Sequence, residues 1–447
     1  MTLNIRELEV KNAQELAESL ISVGQPHKDS STRVLSISTA SLGLNTEETV
    51  HLLNELTAKA TKSNVKQHQE KHKSCLKHIL NTLAVCAFRF EWLVLPTSPP
   101  NFKPDQYLAK LGFDQRRMER CVNILEDEGI MTPGRKGHLG GKTAPSRASQ
   151  YYPTENTIRR FCHSLYSEPE SFNDLTDERL YRFKRFNEED LPNPDSYRYK
   201  LDIIRNYNIF MSEHSWAMKS PSYRSIKDFD CRSGRIFNYY QNLAERRIKI
   251  RSRTLIDGHP IKEADFSANH LRMASYFFGV HDLPPDPYSS VAEAAGLTRD
   301  QIKRVFTECI GASSLRAKGN LHKNAHIHRI PLNTGQYGGA ITTLIGIYPW
   351  LENVLFHDYG ARLQYLEGEI SIEMMHWATQ NQIPLIPVHD AYAVRQQDYE
   401  VTLKVMHEKW YQIMEKARKD DFINKTQYTT AIVKEREDKA KQGRHRH

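Results

Sequence analysis

The sequence predicts an α+β protein, with a helical N-terminal region leading into an antiparallel sheet that carries further helices. Three observations predict it. Leu76, Ile79, Leu80 and Leu83 recur at helical spacing early in the chain. Asp257-Gly258 is a tight-turn signal between two short strand-like runs. Ile383 to Val394 reads as a β-hairpin with His389-Asp390 at its tip. The 447 residues, 39% of them hydrophobic, suffice for two or three domains with a sizeable core.

Residues 1 to about 72 are polar and helix-compatible, and end in a His/Lys/Gln run. They read as a modest helical, partly mobile leader. From Cys75 an amphipathic helix is expected, ended by the turn Pro96-Thr97-Ser98-Pro99-Pro100. A short helix around Tyr107 to Leu111 follows and breaks at Gly112. Asp114 is placed to N-cap the next helix, which has Met118, Cys121, Val122 and Leu125 on one face and Arg116, Arg117 and Arg120 elsewhere. Gly129 stops that helix. A glycine-rich basic loop containing Arg135 and Lys136 then leads to a returning strand from Arg147 to Tyr152. Helix, turn, helix and basic hairpin resemble a winged helix-turn-helix, in which the second helix enters the major groove. The loop from Gly134 to Gly141 has no following Gly-Lys-Ser/Thr and is not a P-loop.

Residues 156–222 are helix-rich and charged, a connector or thumb-like element. Beyond Arg224, basic and aromatic residues interleave. Ile248 to Leu255 alternates in part like a half-buried strand, and Ile261 to Phe266 is the strand returning from the Asp257-Gly258 turn.

The formal charge of +8 suits a partner that is a polyanion. The apolar runs fall short of the roughly 18 residues that span a bilayer, and the N-terminus has no signal-peptide core, so a cytoplasmic protein is expected. Six scattered cysteines without a Cys-x-x-Cys argue for reduced, mostly buried thiols.

The candidate chemistry lies in two strand-borne carboxylates, Asp265 and Asp390, with a basic helix between them. Two-metal phosphoryl transfer needs two carboxylates on neighbouring strands. Thr298-Arg299-Asp300-Gln301 is a capping box opening the helix, with Arg299 and Lys303 at i, i+4 on one face, an arrangement that suits a triphosphate. The dipeptide His-Asp recurs at 281–282 and 357–358, so it is the flanking apolar strands that single out Asp390.

The run from Asp265 to Arg272 (Asp-Phe-Ser-Ala-Asn-His-Leu-Arg) resembles motif A of the DNA polymerase I family, Asp-Tyr-Ser-x-x-Glu-Leu-Arg. Tyr240-Gln241-Asn242-Leu243 with Arg246 or Arg247 is similar to that family's Leu-Gln-Asn-Ile-Pro…Arg segment. Asp286-Pro287-Tyr288-Ser289-Ser290-Val291-Ala292 is similar to a run of the single-subunit RNA polymerases. Arg299-x-x-x-Lys303 resembles motif B and Val388-His389-Asp390-Ala391 resembles motif C, and the likeness spans roughly 224–400. The chain departs from the pattern at Ile310-Gly311 for Tyr-Gly, at Ala391 for the Glu of DNA polymerases, and at His270 for the sugar-gating Glu.

The resemblance implies a polymerase palm with helical fingers, extending a DNA primer on a template from dNTPs with two Mg²⁺ ions, or Mn²⁺ in their place. Asp265 and Asp390 would hold both metals, assisted by the Phe266 carbonyl. Arg299, Lys303, His270 and Phe266 would meet the nucleotide, and Lys303 would protonate the pyrophosphate. His389, Gln364, Gln241, Arg246 and Arg247 would contact primer and template, with Arg116, Arg117, Arg120, Arg135 and Lys136 on DNA in the winged helix. Expected domains are a leader (1–73), a winged helix (74–155), a connector (156–222), a palm with fingers (223–430) and a charged, disordered tail (431–447). Such a pairing suits replication of a plasmid, phage or other mobile element beside other replication proteins. A primase or RNA polymerase of the same fold, or a non-catalytic DNA-binding initiator, are the alternatives.

Overall fold

The computed structural model describes residues 4–26, 34–36, 47–61, 66–96, 99–135, 148–167, 172, 175–183, 194–228, 232–245, 248–313, 332–420 and 422. It is a mixed α+β protein in two compact units. Unit 1 comprises Met1–Leu175, Met211–Pro221 and Asn238–Lys262, and unit 2 comprises Thr176–Phe210, Ser222–Phe237 and Glu263–His447. The segment 156–222, expected as a connector, contributes to both units. The tail 431–447 lies outside the described residues.

Helix α1 (Ile5–Val23) starts at a capping box between Asn4 and Glu7 and buries Ala13, Leu16, Ala17 and Leu20. The expected leader is therefore part of the first unit's core. Strand β1 (Val34–Ser36), α2 (Glu47–Ala60) and α3 (Lys66–Arg89) follow. The His/Lys/Gln run forms the first turns of α3, and Cys75, Leu76, Ile79, Leu80 and Leu83 are buried, as the spacing predicts. Next come β2 (Trp92–Leu95), α4 (Tyr107–Lys110), α5 (Gln115–Asp127), β3 (Met131–Arg135), β4 (Ser149–Pro153) and α6 (Glu155–Phe161). Asp114 caps α5 by accepting the Arg117 N–H at 2.7 Å. The sheet order is β1-β2-β4-β3, with β3 and β4 antiparallel. Cys75, Cys86, Cys121, Cys162 and Cys309 are buried free thiols. Burial pushes the Cys75 and Cys121 thiols up to about 12.

The chain then enters unit 2 through α7 (Asp177–Leu180), β5 (Tyr181–Phe183), α8 (Pro194–Ser212), β6 (Tyr223–Asp228) and β7 (Arg232–Phe237). Here β5 pairs in parallel with β6, and β6 antiparallel with β7. The expected strand over 248–255 is not formed. Lys249 sits at φ 56°, which reverses the chain, and Arg251–Arg253 coils into a 3₁₀ turn. Only β8 (Leu255–Ile256) remains extended, paired with β9 (His259–Asp265). Between them Asp257 and Gly258 lie at φ 50° and 74°, the paired positive values of a type I′ hairpin turn. The Asp257 carboxylate anchors the turn by accepting the Ser215 N–H at 2.9 Å and meeting His214 Nδ1 at 2.7 Å.

Residues 238–262 belong to unit 1, and from Glu263 unit 2 continues with α9 (Asn269–Phe277), α10 (Ser289–Ala295), α11 (Arg299–Gly311), α12 (Thr334–Ile347), α13 (Tyr359–Gln380), β10 (Leu385–Val388), β11 (Ala391–Arg395) and α14 (Tyr399–Lys419). Helix α13 is the axis of its core, packed against β7, α9, α11 and α14. At Gly368 it meets β7 backbone to backbone: a Cβ there would fall 1.8 Å from the Gly234 carbonyl oxygen. Among the described residues, no helix is long and apolar enough to cross a membrane.

Candidate carboxylate site

Two chain reversals build the site. Strand β9 ends at Asp265, and the next residues turn through Ala268, at φ 54°, into α9. Strands β10 and β11 pair from Leu385↔Val394 to Val388↔Ala391, which leaves His389 and Asp390 as a two-residue turn. His389 takes φ 58°. A non-glycine residue held there costs on the order of 1 kcal/mol or more, and such strain collects where a side chain must be aimed. The Phe266 N–H donates to the Asp390 carbonyl at 3.4 Å, joining the end of β9 to this turn. Two carboxylates remote in sequence thus sit at one end of the sheet, at the tips of adjacent strands.

Their electrostatics follow from that proximity. Asp265 reaches solvent, yet partial desolvation and the neighbouring Asp390 push its carboxyl up to about 6, with Lys303 opposing. Asp390 is raised by burial and by Glu367, and Arg235 offsets part of this. Two carboxylates that resist ionisation side by side are relieved by a cation. Their hard oxygen donors suit Mg²⁺ or Mn²⁺, and Mg²⁺ commonly takes one or two carboxylates and completes its shell with water and phosphate. Among the described residues no group of three or more His, Cys, Asp or Glu forms a self-contained metal cage.

Lys303 is exposed on α11 with its charge acting on Asp265. The capping box of Thr298 and Gln301 opens α11 as the sequence predicts. Arg299 faces differently: its Nε binds Asp286 at 2.6 Å, and Asp286 also accepts the Ser289 hydroxyl at 2.7 Å. Phe266 is half-buried against His407, with 5.9 Å between ring centroids. Gln364 is half-buried on α13, one turn before Glu367. Gln241 is buried in unit 1, its N–H bonded to Asn238. On α5, Arg116 is exposed and Arg120 half-buried, while the Arg117 guanidinium folds back onto the Gly112 carbonyl and Asp114. Lys136, Arg246, Arg247 and the side chain of Arg135 lie outside the described residues.

Sequence reasoning missed Glu367 and gave Arg235 no role of its own. Glu367 is 3% exposed, and its carboxylate is saturated. His270 Nε2 lies 3.1 Å from Oε1, Asn269 Nδ2 donates to the same oxygen at 3.1 Å, and Arg235 Nε binds Oε2. Burial alone would raise this carboxyl, but His270 and Arg235 outweigh it and hold it well below the usual carboxylate range. Trp410 Nε1 donates to Asn269 at 3.0 Å, which fixes the amide's orientation. His270, expected to face a nucleotide sugar, thus points its Nε2 at the buried Glu367 carboxylate instead. An acid immediately before Gly-Glu on a helix resembles any solvated face, and the only legible signal was Gly368 in the helix interior.

Comparison with protein-family models, with curated proteins and with solved structures finds no match to this chain.

Proposed function

We propose that the protein is a template-directed nucleotide polymerase that extends a DNA primer by metal-assisted nucleotidyl transfer. The observation that carries this reading is the meeting of Asp265 and Asp390 at the tips of adjacent strands, with Lys303 acting on Asp265. Asp265 and Asp390 would hold the divalent ions, which when bound lower the pKa of an attacking hydroxyl and neutralise a leaving pyrophosphate. Lys303, exposed on α11, would donate a proton to that pyrophosphate. Arg299 would exchange Asp286 for the triphosphate. His389, beside Asp390 in the turn, would support the primer terminus. Residues 74–155, within unit 1, would serve as the winged-helix DNA-binding module, a reading supported by the capped helix α5 and the β3–β4 hairpin that follows it.

The test offers primed and unprimed templates, either nucleotide set and Mg²⁺ to the wild type and to Asp265→Ala and Asp390→Ala. Primer-dependent product from dNTPs is expected, reduced about a thousandfold or more in either variant, since two-metal stabilisation contributes several kcal/mol. Activity should fall on acidification and recover with added Mg²⁺, because protons and the divalent ion compete for Asp265. No wild-type product, or variants that match it, removes the reading; unprimed synthesis from ribonucleotides would make the protein a primase.

A further inference from the structure

The inference concerns Glu367 and rests on the reading of Asp265 and Asp390 as metal-binding carboxylates. A fully buried carboxylate is costly unless every lone pair is used, and here three donors from two elements converge on it: Arg235 from β7, and His270 and Asn269 from α9. Arg235 is the member with a choice. Its Nε is on Glu367 and its Nη2 lies 3.4 Å from His270 Nε2. Its strand also packs against β10, which leads directly into the Asp390 turn. A guanidinium is a permanently charged fork that binds carboxylates bidentately. Left without Glu367, it would find its next carboxylate in Asp390, with which it already interacts.

We propose that Glu367 is a positioning residue that keeps Arg235 committed to α13, so that the oxygens of Asp390 stay available to a divalent cation. Removing the charge of Glu367 releases Arg235 onto Asp390, where it occupies the lone pairs the metal requires. Removing both charges reopens the site. A purely structural role for Glu367 predicts no such recovery.

Mn²⁺ binding to the full-length protein, read from the electron paramagnetic resonance signal of the free ion, tests this without any turnover. Wild type should bind Mn²⁺ and Asp390→Ala should lose it. Glu367→Gln should weaken binding by about tenfold or more, the range typical of groups one shell removed from a metal. The double variant Arg235→Gln/Glu367→Gln should return to within about threefold of wild type, because the competing charge is gone. Glu367→Gln equal to wild type, or a double variant no better than Glu367→Gln, overturns the inference. Wild-type binding indifferent to Asp390→Ala removes the metal reading itself. Should Glu367→Gln fail to fold, the double variant alone decides: Mn²⁺ binding within about threefold of wild type supports the inference, and binding weakened about tenfold or more refutes it.

Discussion

Both units contain ion pairs that join distant parts of the chain, but they place them differently. In unit 1 the pair Arg159–Glu18 joins α6 to α1 with side chains 45% and 58% exposed. In unit 2, Arg224 is fully buried. It donates to Glu369 at 2.7 Å and to the Gly234 carbonyl at 2.8 Å, and its guanidinium lies 4.6 Å from the Tyr365 ring centroid. Desolvation would strip its charge, yet Tyr181 and Glu369 outweigh that and raise its pKa. Lys200 meets the same glutamate at 2.7 Å, and Arg224 and Lys200 together hold Glu369 down to about 2 despite burial. Solvent screens the first kind of pair until it contributes little, whereas the second is held in the one arrangement that satisfies it. Unit 2 therefore uses the Arg224–Glu369 charge to fix a helix on a strand beside the carboxylate site, while the Arg159–Glu18 pair of unit 1 stays at the surface.

The widest predicted gap sets Arg224→Ala against Arg159→Ala. Urea unfolding should show a loss of about 3–5 kcal/mol for the first, because Glu369 keeps only Lys200 and the Gly234 carbonyl loses its buried donor, and little measurable loss for the second, a solvent-screened pair. Similar losses would erase the distinction. A smaller and opposite effect is expected at the site. Asp265 has a folded pKa above its unfolded one, so its contribution is unfavourable above about pH 6 and vanishes as pH falls below the unfolded value near 3.8. Asp265→Asn should then raise apo-protein stability at neutral pH by up to about 1 kcal/mol after discounting for solvent screening. Mn²⁺ should stabilise only the wild type, as followed by thermal melting. The smallest contrast is within α5: Arg117→Ala loses its contacts to the helix start and should cost about 0.5–1 kcal/mol, while Arg116→Ala should stay within about 0.5 kcal/mol of wild type. Both substitutions would be compared at one temperature by circular dichroism.

What could be read from the sequence was local. The helix face of α3, the Asp114 cap, the Thr298 capping box, the Asp257-Gly258 turn and the β10–β11 hairpin each follow from neighbours a few residues apart, and all are present. The alternation over 248–255 misled because one positive φ at Lys249 overrides side-chain period. The carboxylates were legible through their strands, but their partners were not. Glu367 lies 132 residues from Arg235, and Glu369 lies 145 from Arg224. On their own helix both acids look like surface positions. Arg299 shows the complementary failure: helical phase predicted its face but not that Asp286 would claim it.

The contact of Gly368 with Gly234 bears on how relatives of this chain could be recognised. The helix triplet Glu367-Gly368-Glu369 touches a strand dipeptide, Gly234-Arg235, with Arg224 on the adjoining strand. A side chain at 368 would have to displace β7, and an acid lost on either flank would leave an arginine without its counter-ion. These six positions should therefore vary together or not at all. A pattern of glycine-arginine on a strand and, about 130 residues later, acid-glycine-acid on a helix should find distant kin where overall identity has faded.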